Sequence, residues 1–272
     1  MAMMDGVAVT QQVEVRRLAG ALGAEVLGVD LAAGVDDEVF AAIHAAFLEH
    51  QVLCVRGQQE LTPDGQLAFA ARWGEVAIHP YIPSIEGYPG IMRIYDPNPI
   101  TQTWHADTTH SPAPPALTLL LARVLPEVGG DTMFSSMYRV YESLSPGLQA
   151  TLDGLRAVHQ GTERAAAAGL DAAAVTSTHP VVRTHPETGR KALFVNGNYV
   201  SHIDGWTPEE SEPLLSYLYG LVGRPEMTYR HRWQDGDLVI WDNRCTQHAV
   251  VGDTGGAERT LHRVTIAGDV PA

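Results

Sequence analysis

From residue 13 the chain alternates apolar and charged side chains over Val13–Arg17, the period of a half-buried strand, and Ala24–Val29 is a second short strand candidate before Asp30. The period then changes. Over Asp36–His50 the apolar residues fall at Val39, Phe40, Ile43, Ala46 and Phe47, a helical spacing with acids in the first turn. Gln51–Val55 reads as a buried strand. Thr62-Pro63-Asp64 opens a further helix, with Thr62 as N-cap and Pro63 at the first helical position, and Gly74 follows its last residue, Trp73. From Ile91 onward short apolar runs alternate with turn residues: Ile91–Tyr95, Ala116–Val124, Thr132–Ser135, Val181–Thr184, Leu193–Val195, Met227–Arg232, Leu238–Trp241 and Leu261–Ile266. This texture predicts a mainly β fold, a sandwich or barrel, interrupted by helices near Met137–Leu144 and Pro208–Val222. Gly161–Ser177, Ala-rich and set between two strands, is a candidate lid.

Composition narrows the classes. With 272 residues, 45% of them hydrophobic and 18% charged, the chain can bury a large core, and neither a repeat nor a linker divides it, so one domain over 1–272 is expected. A formal charge of −14 lacks the basic footprint that nucleic acid or an anionic membrane requires. A small-molecule partner is left, since a local Arg/His pocket fits inside an acidic protein. Cys54 and Cys245 make no disulfide framework, the N-terminal stretch lacks a leader's basic and apolar regions, and no apolar run approaches the ~20 residues of a membrane helix; together these predict a cytoplasmic protein.

The sharpest local chemistry is Trp104-His105-Ala106-Asp107. On a strand end, side chains two apart share a face, so an imidazole and a carboxylate can chelate one metal. By itself this pattern is more often a strand-end hydrogen bond. A third ligand must come from elsewhere, and His248, in Trp241-Asp242-Asn243-Arg244-Cys245-Thr246-Gln247-His248, is the best candidate. Two histidines and one carboxylate form the facial triad of non-haem Fe(II) oxygenases, with three positions left open. His110, His159, His179, His185 and His202 read as surface or supporting histidines. After His248 comes Glu258-Arg259-Thr260-Leu261-His262-Arg263-Val264-Thr265-Ile266, in which two arginines four apart face the same way on a half-buried strand. Buried arginines need anionic partners, and their planar forks suit carboxylates.

At these residues the chain resembles the TauD/TfdA family of Fe(II)/2-oxoglutarate dioxygenases. WHADTTHSPAPPA, LPEVGGDTMFSSM, THPVVRTHPETGRKALFVN, GDLVIWDNRCTQHAV and RTLHRVTIAGD occur in family order. The resemblance implies a double-stranded β-helix, or jelly roll, with helices packed outside. It implies Fe(II), 2-oxoglutarate and O₂, with His105, Asp107 and His248 as catalytic iron ligands. It implies that Arg259 pairs with the distal carboxylate of 2-oxoglutarate, assisted by Thr132 in Gly129-Gly130-Asp131-Thr132. Arg263 and His79 match the pair that holds an anionic substrate head, and Tyr199 stands where an aromatic pocket residue is expected. A homo-oligomer, dimer or tetramer, is the family's habit.

The sequence departs from the taurine enzymes at two substrate positions, which here hold Thr101 and Ile82. Ile82 cannot hydrogen-bond, so recognition of a nearby amine is weakened while an anionic head group stays compatible. The expected reaction is oxidation of a C–H bond, hydroxylation by default, on an alkylsulfonate, sulfate ester, carboxylate or aryloxy-acid, with succinate and CO₂ as co-products. The presence of Asp107 argues against a halogenase, which leaves that place to a small residue. A biosynthetic oxygenase acting on an amino-acid-like precursor is the alternative within the family. A zinc hydrolase would leave the paired arginines without a role, and a non-catalytic jelly-roll binding protein would be expected to have lost part of the triad.

Overall fold

The structure is a computed structural model and describes residues 13–78, 83–95, 101–161 and 175–272. The N-terminal third supplies β1 (Glu14–Arg17), β2 (Ala24–Leu27), α1 (Asp37–His50), β3 (Val52–Val55), α2 (Pro63–Ala71), β4 (Val76–Ala77), β5 (Ser84–Ile85) and β6 (Tyr88–Tyr95). Both helices begin where capping chemistry places them. Asp36 accepts the Val39 amide ahead of α1, and Thr62 accepts the Gly65 amide ahead of α2, with Pro63 leading. The middle of the chain gives β7 (Leu117–Val124), β8 (Thr132–Ser136), α3 (Met137–Glu142), α4 (Pro146–Leu152), β9 (Arg156–Gln160), β10 (Thr176–Pro180), β11 (Val182–Thr184), β12 (Lys191–Leu193) and β13 (Val200–Ile203). Helix α5 (Pro208–Val222), opened by a Thr207/Glu210 capping box, precedes β14 (Thr228–His231), β15 (Leu238–Asp242), β16 (Thr246–Val250) and β17 (Thr260–Ile266).

A major sheet runs β1-β2-β3-β15-β7-β17-β6-β5, with β4 also on β17, and a minor sheet runs β14-β8-β16. The near-continuous apolar runs of β3, β7 and β15 follow from burial on both faces. Leu53, Val55, Leu119, Leu121, Leu238 and Ile240 pack with α1 and α2 on the outer face. Their neighbours Val52, Cys54, Leu120, Ala122, Val239 and Trp241 face inward, where Phe134 of β8 meets them from the minor sheet. Two facing sheets, antiparallel except where β2 runs parallel to β3, with helices outside make the expected jelly roll. A third apolar cluster packs α3 and α5 against β11, β12 and β13. Among the described residues no helix is long and apolar enough to cross a membrane, and Cys54 and Cys245 are buried free thiols.

Several elements lie outside the sequence reading: α4, β4, β5, β9, β10, β13 and β16. Strand β6 begins ahead of the expected Ile91, and α3 stops at Glu142, short of Leu144. The far end of the candidate lid is ordered strand, since β10 starts at Thr176; residues 162–174 lie outside the described residues.

Candidate active site

His105 and His248 are brought together by backbone pairing. Each amide donates to the other's carbonyl, His105 N to His248 O at 3.1 Å and His248 N to His105 O at 2.8 Å, an isolated antiparallel bridge from His105 onto β16. Directly opposed residues of such a pair project to one face, and the two imidazole centroids lie 4.4 Å apart. Asp107 is two residues further along and joins them. One donor atom from each of His105, Asp107 and His248 lies within 4.8 Å of the others, all three side chains buried.

The donor set fits a divalent metal. His105 Nδ1 donates to the Thr103 carbonyl at 2.8 Å, which fixes the tautomer and leaves the Nε2 lone pair for ligation. Burial, reinforced by the neighbouring His105, pushes His248 down to about 3, so its ring stays neutral. Burial alone would raise Asp107, but the Arg263 guanidinium and the two histidines hold its carboxyl well below the usual carboxylate range. Its Oδ2 takes Thr118 Oγ1 at 3.0 Å and Arg263 Nη2 at 2.5 Å, while Oδ1 faces His248 Nε2 at 3.8 Å. With Oδ2 engaged in this way, Asp107 is set to bind an ion through Oδ1 alone.

A cavity of about 200 Å³ opens over these side chains, walled by Ile94, Leu120, Trp241 and Val250 and reached by Thr132, Arg259 and Arg263. Arg259 is 4% exposed. Its Nη2 donates to Thr132 Oγ1 at 3.4 Å, and its guanidinium lies 5.7 Å from the Trp233 ring centroid. Gly129 and Gly130 both have positive φ. A Cβ on Gly130 would come within 2.9 Å of Arg259 Cδ, and one on Gly129 within 2.4 Å of the Asp253 carbonyl oxygen. The Gly-Gly step thus lets the β7–β8 connection lie against the arginine.

The predicted substrate residues fare unevenly. Arg263 lines the cavity with Arg259, as same-face spacing requires. Thr101 is turned elsewhere: its Oγ1 accepts the Gly252 amide at 3.1 Å, and Gln102 lines the cavity instead. Tyr199 is buried with its ring 5.2 Å from that of His110, and the described cavity lining does not include it. His79 and Ile82 lie outside the described residues. Of the histidines read as supporting, His159, His179 and His185 are buried. Thr118, Asn243 and Trp233 went unread. Asn243 Nδ2 donates to Thr118 Oγ1 at 3.1 Å, and its Oδ1 accepts from Trp241 Nε1 at 3.0 Å and the Asp107 amide at 3.3 Å. The available signal was Thr118 as the lone hydroxyl within an apolar run.

A jelly roll carrying two histidines and one aspartate in a facial group, above which two arginines share a cavity, defines the class of non-haem iron oxygenases. The chain matches the family described as taurine catabolism dioxygenase TauD, TfdA family over residues 14–265, and it belongs to that family. It is 37% identical to the alkylsulfatase of Acinetobacter baylyi, over 96% of this chain and 87% of that one. It is likewise 37% identical to the alpha-ketoglutarate-dependent sulfate ester dioxygenase of Pseudomonas putida, over 96% and 91%. The crystal structure of a taurine dioxygenase from Burkholderia xenovorans superposes with a TM-score of 0.86 at 37% identity, covering 96% of this chain and 91% of that one.

Proposed function

We propose that this protein is an Fe(II)- and 2-oxoglutarate-dependent dioxygenase that hydroxylates a C–H bond beside the anionic head of an alkyl sulfate or a closely related alkyl anion. The observation that carries the reading is the convergence of His105, Asp107 and His248 at one end of a cavity that also holds two inward arginines. His105 and His248 would hold the metal as neutral imidazoles and Asp107 as a monodentate carboxylate, leaving three positions for 2-oxoglutarate and O₂. The chemistry supplied by the bound metal and 2-oxoglutarate is reduction of O₂ coupled to decarboxylation, with one oxygen atom entering the substrate C–H bond and the other succinate.

The chain's own residues position the reactants. Arg259 and Thr132 offer a buried charged donor and a hydroxyl to the distal carboxylate of 2-oxoglutarate, the pairing a guanidinium makes best. Arg263 attracts the substrate's anionic head to the metal side of the cavity, and Ile94, Leu120 and Val250 give an apolar wall for an alkyl body. With its hydroxyl accepting from Gly252 N, Thr101 is poorly placed to meet a substrate amine. Sulfate-ester chemistry in two similar proteins supports the choice of head group.

Anaerobic addition of Fe(II) and 2-oxoglutarate is expected to give the visible absorption of the chelate, and His105→Ala or His248→Ala to abolish it. In O₂-dependent succinate release, hexyl sulfate is expected to outperform taurine, with an alkylsulfonate and an aryloxy-acid as competitors. A clear preference for taurine sinks the pocket argument. Activity confined to neutral substrates sinks the anion site.

A further inference from the structure

The carboxylate of Asp107 is held by two donors of unlike kind, and only one of them can move. Thr118 Oγ1, 3.0 Å from Oδ2, belongs to a fully buried side chain. It is pinned by Asn243 Nδ2 at 3.1 Å, and Asn243 is itself fixed by the Trp241 indole and the Asp107 amide. Arg263 is anchored loosely. Its other bonds are long, Nε to Thr265 Oγ1 at 3.3 Å and Nη2 to Thr118 Oγ1 at 3.5 Å, and its side chain lines the cavity with 16% exposure. Yet Nη2 lies 2.5 Å from Asp107 Oδ2. An anion entering the cavity competes with that carboxylate for the same guanidinium edge.

We propose that Arg263 is shared, paired with Asp107 when no anion is present and drawn to the substrate's anionic head when one is bound, so that anion binding and metal binding reinforce each other through Asp107. The inference rests on the metal-site reading above. The physical reason is charge: a carboxylate relieved of a cationic partner is a stronger donor to a metal. The fixed hydroxyl of Thr118 makes the exchange cheap, because Oδ2 keeps one hydrogen bond after the arginine turns away. By linkage the coupling is reciprocal, so a bound metal also tightens the anion.

The test is a titration of the metal-free full chain with Co(II), followed by its visible bands, with and without saturating hexyl sulfate and with hexanol as the neutral control. Hexyl sulfate is expected to tighten Co(II) binding about five- to tenfold, the low end of common coupling strengths, and hexanol to leave it unchanged. Thr118→Val removes the fixed donor and is expected to abolish most of the coupling, while Thr118→Ser restores it. Direct attraction between anion and metal predicts the opposite, a coupling untouched by Thr118→Val, and that result overturns the proposal. Arg263→Gln provides an independent check. It should bind Co(II) more tightly than the parent without any anion and ignore hexyl sulfate; weaker binding overturns the exchange. A parent protein that binds no Co(II) overturns the metal-site reading and this inference together. Co(II) binding indifferent to hexyl sulfate overturns this inference alone.

Discussion

Arg259 shows how much a single side chain depends on its neighbours. Its charge is buried, its fork reaches Thr132, and its aliphatic stem lies where a Gly130 side chain would be, 2.9 Å from an ideal Cβ. Arg259→Ala is expected to raise the KM for 2-oxoglutarate about 30- to 1000-fold, the loss of roughly 2–4 kcal/mol when a buried charge-assisted pair is broken, with a much smaller effect on the KM for the primary substrate. Succinate release measured against 2-oxoglutarate concentration checks this, and an unchanged value would transfer the role to Arg263. Gly130→Ala is expected to act in the same direction without touching a charge. Its φ of +70° strains any other residue, and the new methyl displaces the arginine. A variant that folds as the parent does and keeps the parent's KM would show that the close approach is incidental.

At the scale of elements, the turn after Asp107 is held under tension. Thr108, a β-branched residue, has φ of +41°, a conformation that costs on the order of 1–3 kcal/mol and persists only where neighbours enforce it. The enforcing contacts come from β9, β10 and the segment after β12. His159 Nδ1 lies 2.9 Å from Thr109 Oγ1, Asn196 Nδ2 donates to the same hydroxyl at 3.1 Å, Ser177 Oγ donates to the His110 carbonyl at 2.7 Å, and His179 Nε2 to the Ser111 carbonyl at 3.0 Å. Thr109→Val leaves two buried polar groups without that partner and is expected to cost about 1–3 kcal/mol in urea unfolding, with weaker metal binding. These elements were the ones the sequence concealed. Helices α1, α2 and α5 are legible because caps and spacing agree, and β7, β15 and β17 because apolar runs bounded by turns leave few alternatives. The His105–Asp107 pair and the Arg259–Arg263 pair are local patterns, readable without tertiary knowledge. Strand β16 reads as polar although its Thr246, Gln247 and His248 are all buried, His248 in the metal group and Gln247 on the opposite face against Met137 Sδ and the Val195 carbonyl. Thr118 and Asn243 become partners only through the β7–β15 pairing, which sets Asp242 opposite Leu117, a register no local pattern encodes. The place of Tyr199 beside His110 likewise depends on how β9 and β13 pair.

For the molecule as a whole, buried histidines contribute to the sensitivity to acid. Burial, with smaller contributions from His179 and His110, pushes His159 down from its ordinary 6.5 to about 3. The unfolded chain therefore binds a proton that the folded chain refuses, so this contribution to stability is present above the ordinary value and is lost as pH falls from about 6.5 toward 3. Acidification from pH 7 to pH 5 is expected to remove about 2 kcal/mol through His159 alone, and His159→Asn to flatten the pH dependence of urea unfolding over that window. A parent and variant with equal slopes would assign the acid sensitivity elsewhere. Metal addition is expected to raise the melting temperature of the parent and not that of His248→Ala, with about 2.7 kcal/mol gained when the ion stands at a hundred times its Kd. The paired backbones of residues 105 and 248 give that gain a wider meaning. An ion held by both rings is a clasp between two stretches of chain far apart in sequence, closing the barrel much as a crosslink closes a loop. A cell short of iron would then lose more than turnover: the unclasped chain unfolds more often and meets proteases more often, so iron supply sets how much of this enzyme exists as well as how fast it works.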